Sequence, residues 1–421
     1  MPLHGEFIPP GDKSISHRLV LISLLAEGEM IVNGLAEGDD VKTSLRVFQS
    51  LGGEARGGGN QMTLKGLDGK LRIDILKPVD LDCGNSGTTA RLLAGAVAAL
   101  PGFYIFDGDE LLRRRPMERL VEPLRQMGAC IETTSGNLPV TIIGGNSLHG
   151  IEFINQEGSA QLKGAVTLAT LNATSPSYII EPVPTRDHTE KIVNICGGQV
   201  LIHGSTLKVY PGQLTLPAEI YVPGDPSSAA FFLTGAALIT DSIVTAKNML
   251  LSGARIGFLR VLDRMGASVS ISLEQEKPEP CGKVTVAYNG QLIATEVTSE
   301  EVPSLIDEVP ILALAAALAK GTTIFRNMRE LRFKEIDRLT GICYQLGALG
   351  VQVKIESDDL FVTGPTKLIS PEILDSGHDH RLAMTLLMAR FITGSNTPVR
   401  GEESISISYP SFKEELIRLN V

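Results

Sequence analysis

Two patterns of apolar and polar positions alternate along the chain. The first is a turn rich in glycine or acidic residues, a stretch of small and apolar residues at helical spacing, and a strand. It occupies 11–35, 84–108, 158–182, 224–249, 306–328 and 377–400. The second is an amphipathic stretch closed by glycine, followed by two strands; a glycine directly after an apolar helix face is the usual helix stop. Leu45-Arg46-Val47-Phe48-Gln49-Ser50-Leu51-Gly52-Gly53 is one copy. Leu124-Arg125-Gln126-Met127-Gly128, Val193-Asn194-Ile195-Cys196-Gly197-Gly198, Val261-Leu262-Asp263-Arg264-Met265-Gly266 and Tyr344-Gln345-Leu346-Gly347 are others, and 412–419 is the last.

The first-pattern segments begin 66 to 82 residues apart, at 11, 84, 158, 224, 306 and 377. Six copies of about 70 residues are a repeat signal. The helices of the first pattern are unusually apolar: 92–100 and 312–319 hold no charged residue. A helix that is apolar all round is buried, so helices belong inside and sheets outside. The expected class is α/β (α+β), a two-domain inside-out α/β barrel of six βαβαββ-type repeats, three per domain. The chain should cross between domains near Asp12 and near Gly224-Asp225-Pro226. That makes 13–223 the N-terminal domain, and 1–12 with 224–421 the C-terminal one. The strand before Gly11 is then expected to pair with the C-terminal half. Helix starts facing one cleft would pool partial positive charge there.

A length of 421 residues also argues for two domains. Hydrophobic residues make up 43% and charged ones 20%, with no run of about 18 uncharged apolar residues. A globular chain without a membrane span is expected, and the start shows no secretory pattern. The five cysteines are scattered, without a Cys-x-x-Cys pair, which suggests free thiols in a cytoplasmic protein rather than disulfides or zinc. The net charge of −10, with no long basic run, argues against nucleic acid as a partner. It also makes any local cluster of cations more informative.

Those cations gather at the helix starts. Pro10-Gly11-Asp12-Lys13-Ser14-Ile15-Ser16-His17-Arg18 turns from a loop straight into a helix. Unpaired N–H groups, Lys13, Arg18 and two serine hydroxyls make it a cradle for phosphate or carboxylate. It is not a Walker loop, because no Gly-Lys-Ser/Thr is contiguous. The other starts carry Asn85, Ser86, Gly87, Thr88 and Arg91; Ser159, Gln161 and Lys163; Asp225 and Ser227; Asp307 and Glu308; and Asp379, His380 and Arg381. Arg113-Arg114-Arg115, Arg186-Asp187-His188 and Lys334-Glu335-x-Asp337-Arg338 lie around the second-pattern helices. Each alone reads as a solvated charge or a cap. Recurrence at one structural position points instead to a small polyanionic substrate, because arginine grips carboxylate and phosphate bidentately. Asp307 and Glu335 are carboxylates among cations, suited to proton transfer. Asp187-His188 and His378-Asp379-His380 could be metal ligands but read rather as hydrogen-bonded structure, Gly57-Gly58-Gly59 as a hairpin tip, and Cys83 as a buried structural thiol.

Nine motifs, in order and across nearly the whole chain, resemble the EPSP synthase (3-phosphoshikimate 1-carboxyvinyltransferase) family. They are 10–18, Gly84-Asn85-Ser86-Gly87-Thr88, Arg114-Arg115-Pro116-Met117, Ser159-Ala160-Gln161-Leu162-Lys163, Arg186-Asp187-His188-Thr189-Glu190, Gly224-Asp225, Ile306-Asp307-Glu308, 330–338 and Asp379-His380-Arg381. The resemblance implies a cytoplasmic, monomeric enzyme with its active site in the interdomain cleft. It would join phosphoenolpyruvate and shikimate 3-phosphate by addition and elimination, with no metal or organic cofactor. It implies that Ser14, Arg18, Ser159, Ala160, Gln161 and Arg186, with Asp307 and Lys334, hold shikimate 3-phosphate. Lys13, Gly87, Arg115, Gln161, Arg338 and Arg381 would hold phosphoenolpyruvate, and Arg91 aligns with a family arginine near it. Asp307 would be the base toward the 5-hydroxyl, with Glu335 and Lys13 the candidates to protonate the methylene carbon. A glycine at 87 would leave room for glyphosate.

The Ser-Ala-Gln and Arg-Asp-His-Thr-Glu forms resemble the family's second sequence class. Ile407 stands where the first class has a lysine, so no lysine role is assigned there. The sister enzyme that uses UDP-N-acetylglucosamine shares the fold. Its mobile loop carries a cysteine, absent from Glu110-Leu111-Leu112-Arg113-Arg114-Arg115-Pro116, and its first motif has Lys-Asn in place of Lys13-Ser14. A non-catalytic anion-binding scaffold is a third reading, and Asp307 and Glu335 argue against it.

Overall fold

The computed structural model describes residues 2–156 and 158–420. The chain divides into two compact units, one of 11–222 and one of 1–10 with 223–421.

In the first unit, three helices run through the interior: Lys13–Ile22, Gly87–Val97 and Ala160–Leu171. Each starts at a side-chain cap, from Asp12, Ser86 and Ser159 respectively, which satisfies a backbone donor that the helix itself leaves open. The last ten residues of Ala160–Leu171 are all buried. Three four-stranded sheets cover the helices. One orders Pro78–Asp82, Gly102–Asp107, Asn137–Gly144 and Cys130–Thr134, a parallel pair extended by an antiparallel hairpin. The sheet of Glu29–Asn33, Gln61–Lys65 and Glu54–Gly58 takes its outer parallel strand, Glu219–Tyr221, from the far end of the unit. Strand residues alternate between buried and exposed, as in Glu29–Asn33, the mark of a sheet with one face on the core. Gly57 and Gly58 end a strand whose hairpin turns at 59–60, as their run of glycines suggested.

The second unit repeats the plan with helices Pro226–Leu238, Val309–Leu318 and His380–Thr393. The strand His4–Phe7 lies parallel to Ile243–Leu250, which bears out the expected pairing with the C-terminal half. The last repeat is abbreviated: Leu374–Asp375 pairs only with Val399–Arg400. Helix Phe412–Leu419 follows, and its Phe412 stacks on Phe232 at 4.9 Å and meets Phe231 and Tyr409 edge-on. Aromatic pairs so arranged add to the stabilisation from burial. Among the described residues no helix is long and apolar enough to cross a membrane.

Candidate active site

The first unit carries a cluster of cations at its three helix starts. Lys13, the first residue of its helix, pairs with Asp40 at 2.9 Å. One turn on, Arg18 is almost wholly buried. Its Nε donates to Thr189 Oγ1 at 2.7 Å, its Nη1 to the Ser14 carbonyl at 2.9 Å and its Nη2 to the Ala160 carbonyl at 3.3 Å. Arg186 Nη1 reaches Ser14 Oγ at 3.4 Å. Ser14, Arg18, Ala160 and Arg186 are thus one group, with two guanidiniums and two helix N-termini. Ser159 Oγ caps its own helix, accepting from Leu162 N at 3.4 Å.

A second group forms around the Gly87 helix start. Arg91 Nη1 donates to Gln161 Oε1 at 2.7 Å, and Gln161 Nε2 donates to Thr88 Oγ1 at 2.9 Å. A Cβ placed on Gly87 would stand 3.0 Å from Arg115 Cζ and 3.1 Å from Arg91 Nη1. Gly87, Arg115, Arg91 and Gln161 therefore converge, and the glycine is what lets two guanidiniums approach the helix. The close fit extends downward: a Cβ on Gly95 would meet the Ala165 carbonyl oxygen at 2.2 Å.

Beneath both groups runs a buried chain of hydroxyls. His17 Nδ1 lies 2.8 Å from Ser44 Oγ, Ser44 Oγ 2.8 Å from Thr89 Oγ1, and Thr89 Oγ1 donates to Ser86 Oγ at 2.7 Å. Burial, and then the charges of Lys13 and Arg18, push the His17 imidazole well below its ordinary 6.5. It is a neutral strut between the Lys13 and Gly87 helix starts.

The second unit holds the carboxylates. Asp307 precedes helix Val309–Leu318, and its Oδ1 lies 3.2 Å from Lys334 Nζ, 3.3 Å from Arg338 Nη1 and 3.7 Å from Arg381 Nε. Arg338, fully buried, also pairs with Glu335 and, at 2.8 Å, with Asp379. Burial works against the charged guanidinium, but Asp379, Glu335 and Asp307 outweigh it and hold the Arg338 pKa above its usual value. Asp379 caps helix His380–Thr393, accepting from Arg381 N and Leu382 N, both at 2.9 Å. It is a cap and an arginine partner, while its neighbour His378 pairs with Glu403. Cys83 is buried, and burial pushes its thiol far up, as befits a structural thiol.

All the residues singled out in 330–338 and 379–381 for substrate binding converge on Asp307 or on its partner Arg338. Three partners of these polar groups had no signal of their own in the sequence: Asp40, which pairs with Lys13; Arg255, which pairs with the helix cap Asp225 at 2.9 Å; and Asn155, which ties Ser159 to Glu181.

The family model for EPSP synthase (3-phosphoshikimate 1-carboxyvinyltransferase) matches residues 1–416. The 3-phosphoshikimate 1-carboxyvinyltransferase of Pelotomaculum thermopropionicum is 40% identical over 100% of this chain and 97% of its own length. The structure of EPSP synthase from Acinetobacter baumannii is 34% identical, with a TM-score of 0.85 over 99% of this chain and 96% of that one. The enolpyruvyl transferase NikO of Streptomyces tendae, 17% identical, shares the fold with a TM-score of 0.79 over 100% of this chain and 95% of its own.

Proposed function

The chain belongs to the EPSP synthase family, and from that premise we propose a role for each charged group of the two units. The activity is transfer of the enolpyruvyl group of phosphoenolpyruvate to shikimate 3-phosphate, a step of aromatic amino acid biosynthesis. Its substrates are phosphoenolpyruvate and shikimate 3-phosphate, which accounts for dense cations in an acidic protein.

Ser14, Arg18, Ser159, Ala160, Gln161 and Arg186 hold shikimate 3-phosphate. What supports this is the pair of guanidiniums converging on Ser14 beside two helix N-termini, where N–H groups and the helix dipole favour a phosphate. Lys13, Gly87, Arg115 and Gln161 hold phosphoenolpyruvate together with Arg338 and Arg381, and Lys334 serves the shikimate ligand with Asp307.

Asp307 takes the proton of the 5-hydroxyl as that oxygen bonds to C2 of phosphoenolpyruvate. Lys13 or Glu335 gives a proton to the methylene carbon, completing a tetrahedral adduct. Loss of a proton from the new methyl group then re-forms the double bond, and the C2–O bond to phosphate breaks. Exclusion of water and alignment of the two reactants contribute several kcal/mol in such a step, of the roughly 7–11 kcal/mol that ideal positioning can supply. The same reading makes the protein a cytoplasmic monomer that needs no metal.

The observation that carries the assignment is Asp307: one carboxylate oxygen with three cations within 3.7 Å. A site built only to bind anions gains nothing from a carboxylate there. Asp307→Asn keeps the shape and removes the base. Turnover should fall roughly 10²- to 10⁴-fold while calorimetry still detects shikimate 3-phosphate binding. Unchanged turnover would remove Asp307 from the mechanism.

A further inference from the structure

Beneath the Ser159 helix start lies an ion cluster that the reaction does not use. Lys163, one turn into the helix and 1% exposed, lies 2.8 Å from Glu181 Oε2 and 2.6 Å from Glu190 Oε1. Both carboxylates are buried. Three charges out of water are costly unless their remaining hydrogen-bonding positions are filled. Glu181 is the better satisfied of the two. Its Oε1 accepts from Thr185 Oγ1 at 2.6 Å and from Asn155 Nδ2 at 3.1 Å. Burial lifts the Glu190 carboxyl, with Lys163 opposing. Lys163 is thus held between the two carboxylates, and Glu181 alone carries the further side-chain ties.

What Glu181 holds is informative. Asn155 clamps Ser159 from both sides of its backbone: Oδ1 accepts from Ser159 N at 3.1 Å, and Nδ2 donates to the Ser159 carbonyl at 3.2 Å. Thr185 is the residue before Arg186. One carboxylate oxygen thus ties down two segments that are 26 residues apart in the chain, 159–161 and 185–186. Thr189, next to Glu190 in the chain, accepts from Arg18. A cluster serving stability alone would have no reason to end on these backbone positions.

We propose that Glu181, anchored by Lys163 and acting through Asn155 and Thr185, is a positioning residue that sets the spacing of the Ser159 and Arg186 grips on the phosphosubstrate. The inference rests on the assignment of Ser159 and Arg186 to shikimate 3-phosphate. Hydrogen bonds to a charged group are worth about 1.5–3 kcal/mol, or roughly tenfold or more in a binding constant. Removing one tie should therefore weaken that substrate and leave the other alone.

The test compares Thr185→Val, Thr185→Ser and Asn155→Asp with the wild type. Steady-state KM for each substrate, kcat, thermal midpoint and calorimetric shikimate 3-phosphate affinity are read. Thr185→Val removes only the hydroxyl. It should raise KM for shikimate 3-phosphate about tenfold, with KM for phosphoenolpyruvate and kcat within about twofold. Thr185→Ser restores the donor and should restore KM. Asn155→Asp places a carboxylate against Glu181 and should weaken the same ligand further. Both KM values moving together with the thermal midpoint, or no change in either, would overturn the proposal. Ser159→Ala and Arg186→Ala separate the two levels. If they weaken shikimate 3-phosphate binding and Thr185→Val does not, the positioning role alone falls. If neither affects that substrate, the binding assignment falls and takes the inference with it.

Discussion

Arg338 Nε lies 2.8 Å from Asp379 Oδ2, and both side chains are sealed from solvent. Asp379 is also the cap of helix His380–Thr393, accepting from the backbone N–H of Arg381. One aspartate thereby fixes the side chain of one proposed phosphoenolpyruvate ligand and the backbone of another. Asp379→Ala leaves a buried guanidinium short of a partner and the helix uncapped. Breaking such a pair from one side costs roughly 3–5 kcal/mol, and losing the cap about 1 kcal/mol more. The expected result is a lower denaturation midpoint together with a raised KM for phosphoenolpyruvate. Asp379→Asn, which keeps a cap acceptor, should recover part of the stability and little of the KM. A wild-type KM in both variants would remove Asp379 from ligand positioning.

The repeats were legible in the sequence because glycine, proline and apolar runs report local geometry. Each first-pattern segment contains its buried helix, and each second-pattern segment its amphipathic one. The cations at 13–18, 334–338 and 381 were legible for the same reason, since they sit at helix boundaries that the apolar pattern marks. Other contacts, in the first unit, were not. Lys13 meets Asp40 across 27 residues, and Asn155 meets Glu181 across 26, distances over which packing between helices decides contact and periodicity is silent. The pairing of His4–Phe7 was legible only as far as the C-terminal half. Its register against Ile243–Leu250 depends on the curvature of a sheet whose other strands come more than 200 residues later.

Gly87 faces Arg115 and Arg91. An alanine methyl at 3.0 Å from the Arg115 guanidinium carbon and 3.1 Å from Arg91 Nη1 is tighter than ordinary van der Waals contact, so the guanidiniums must give way. In Gly87→Ala, KM for phosphoenolpyruvate should rise several-fold with KM for shikimate 3-phosphate little changed, the order expected of about 1 kcal/mol of overpacking. Glyphosate, if it takes the phosphoenolpyruvate place, should inhibit the variant less than the wild type. Equal inhibition curves for the two would remove the steric argument.

His17 makes stability depend on pH. Its folded-state pKa is depressed by burial, then by Lys13 and Arg18, while the unfolded chain protonates near 6.5. Below that pH the unfolded state binds a proton that the folded state refuses. The contribution is therefore intact above 6.5 and is lost as pH falls from 6.5 toward the depressed value. Between pH 7.5 and 5.5 it should amount to roughly 1 kcal/mol. His17→Gln keeps a partner for Ser44 and does not titrate. Denaturant midpoints for both proteins at the two pH values give the difference directly. A wild type that loses no more than His17→Gln on acidification would show that the imidazole is not held neutral.

Gly95 sets the distance between two helices that carry ligand groups. A Cβ there would lie 2.2 Å from the Ala165 carbonyl oxygen and 2.7 Å from its Cα. These are backbone atoms, so no rotamer change relieves the clash, and helices Gly87–Val97 and Ala160–Leu171 must move apart. Overpacking of this kind costs about 1–3 kcal/mol, a fall of roughly 2–4 °C per kcal/mol in a unit of this size. The start of one helix bears Arg91 and the start of the other Gln161, joined at 2.7 Å, so separation also lengthens that bond. Gly95→Ala should therefore lower the thermal midpoint and raise KM for phosphoenolpyruvate together. Gly212 lies in the same unit, and a Cβ on it meets nothing within 4 Å, so Gly212→Ala is the control for the change of residue type alone. A Gly95→Ala protein that melts and turns over like Gly212→Ala would mean that the two helices can separate without cost.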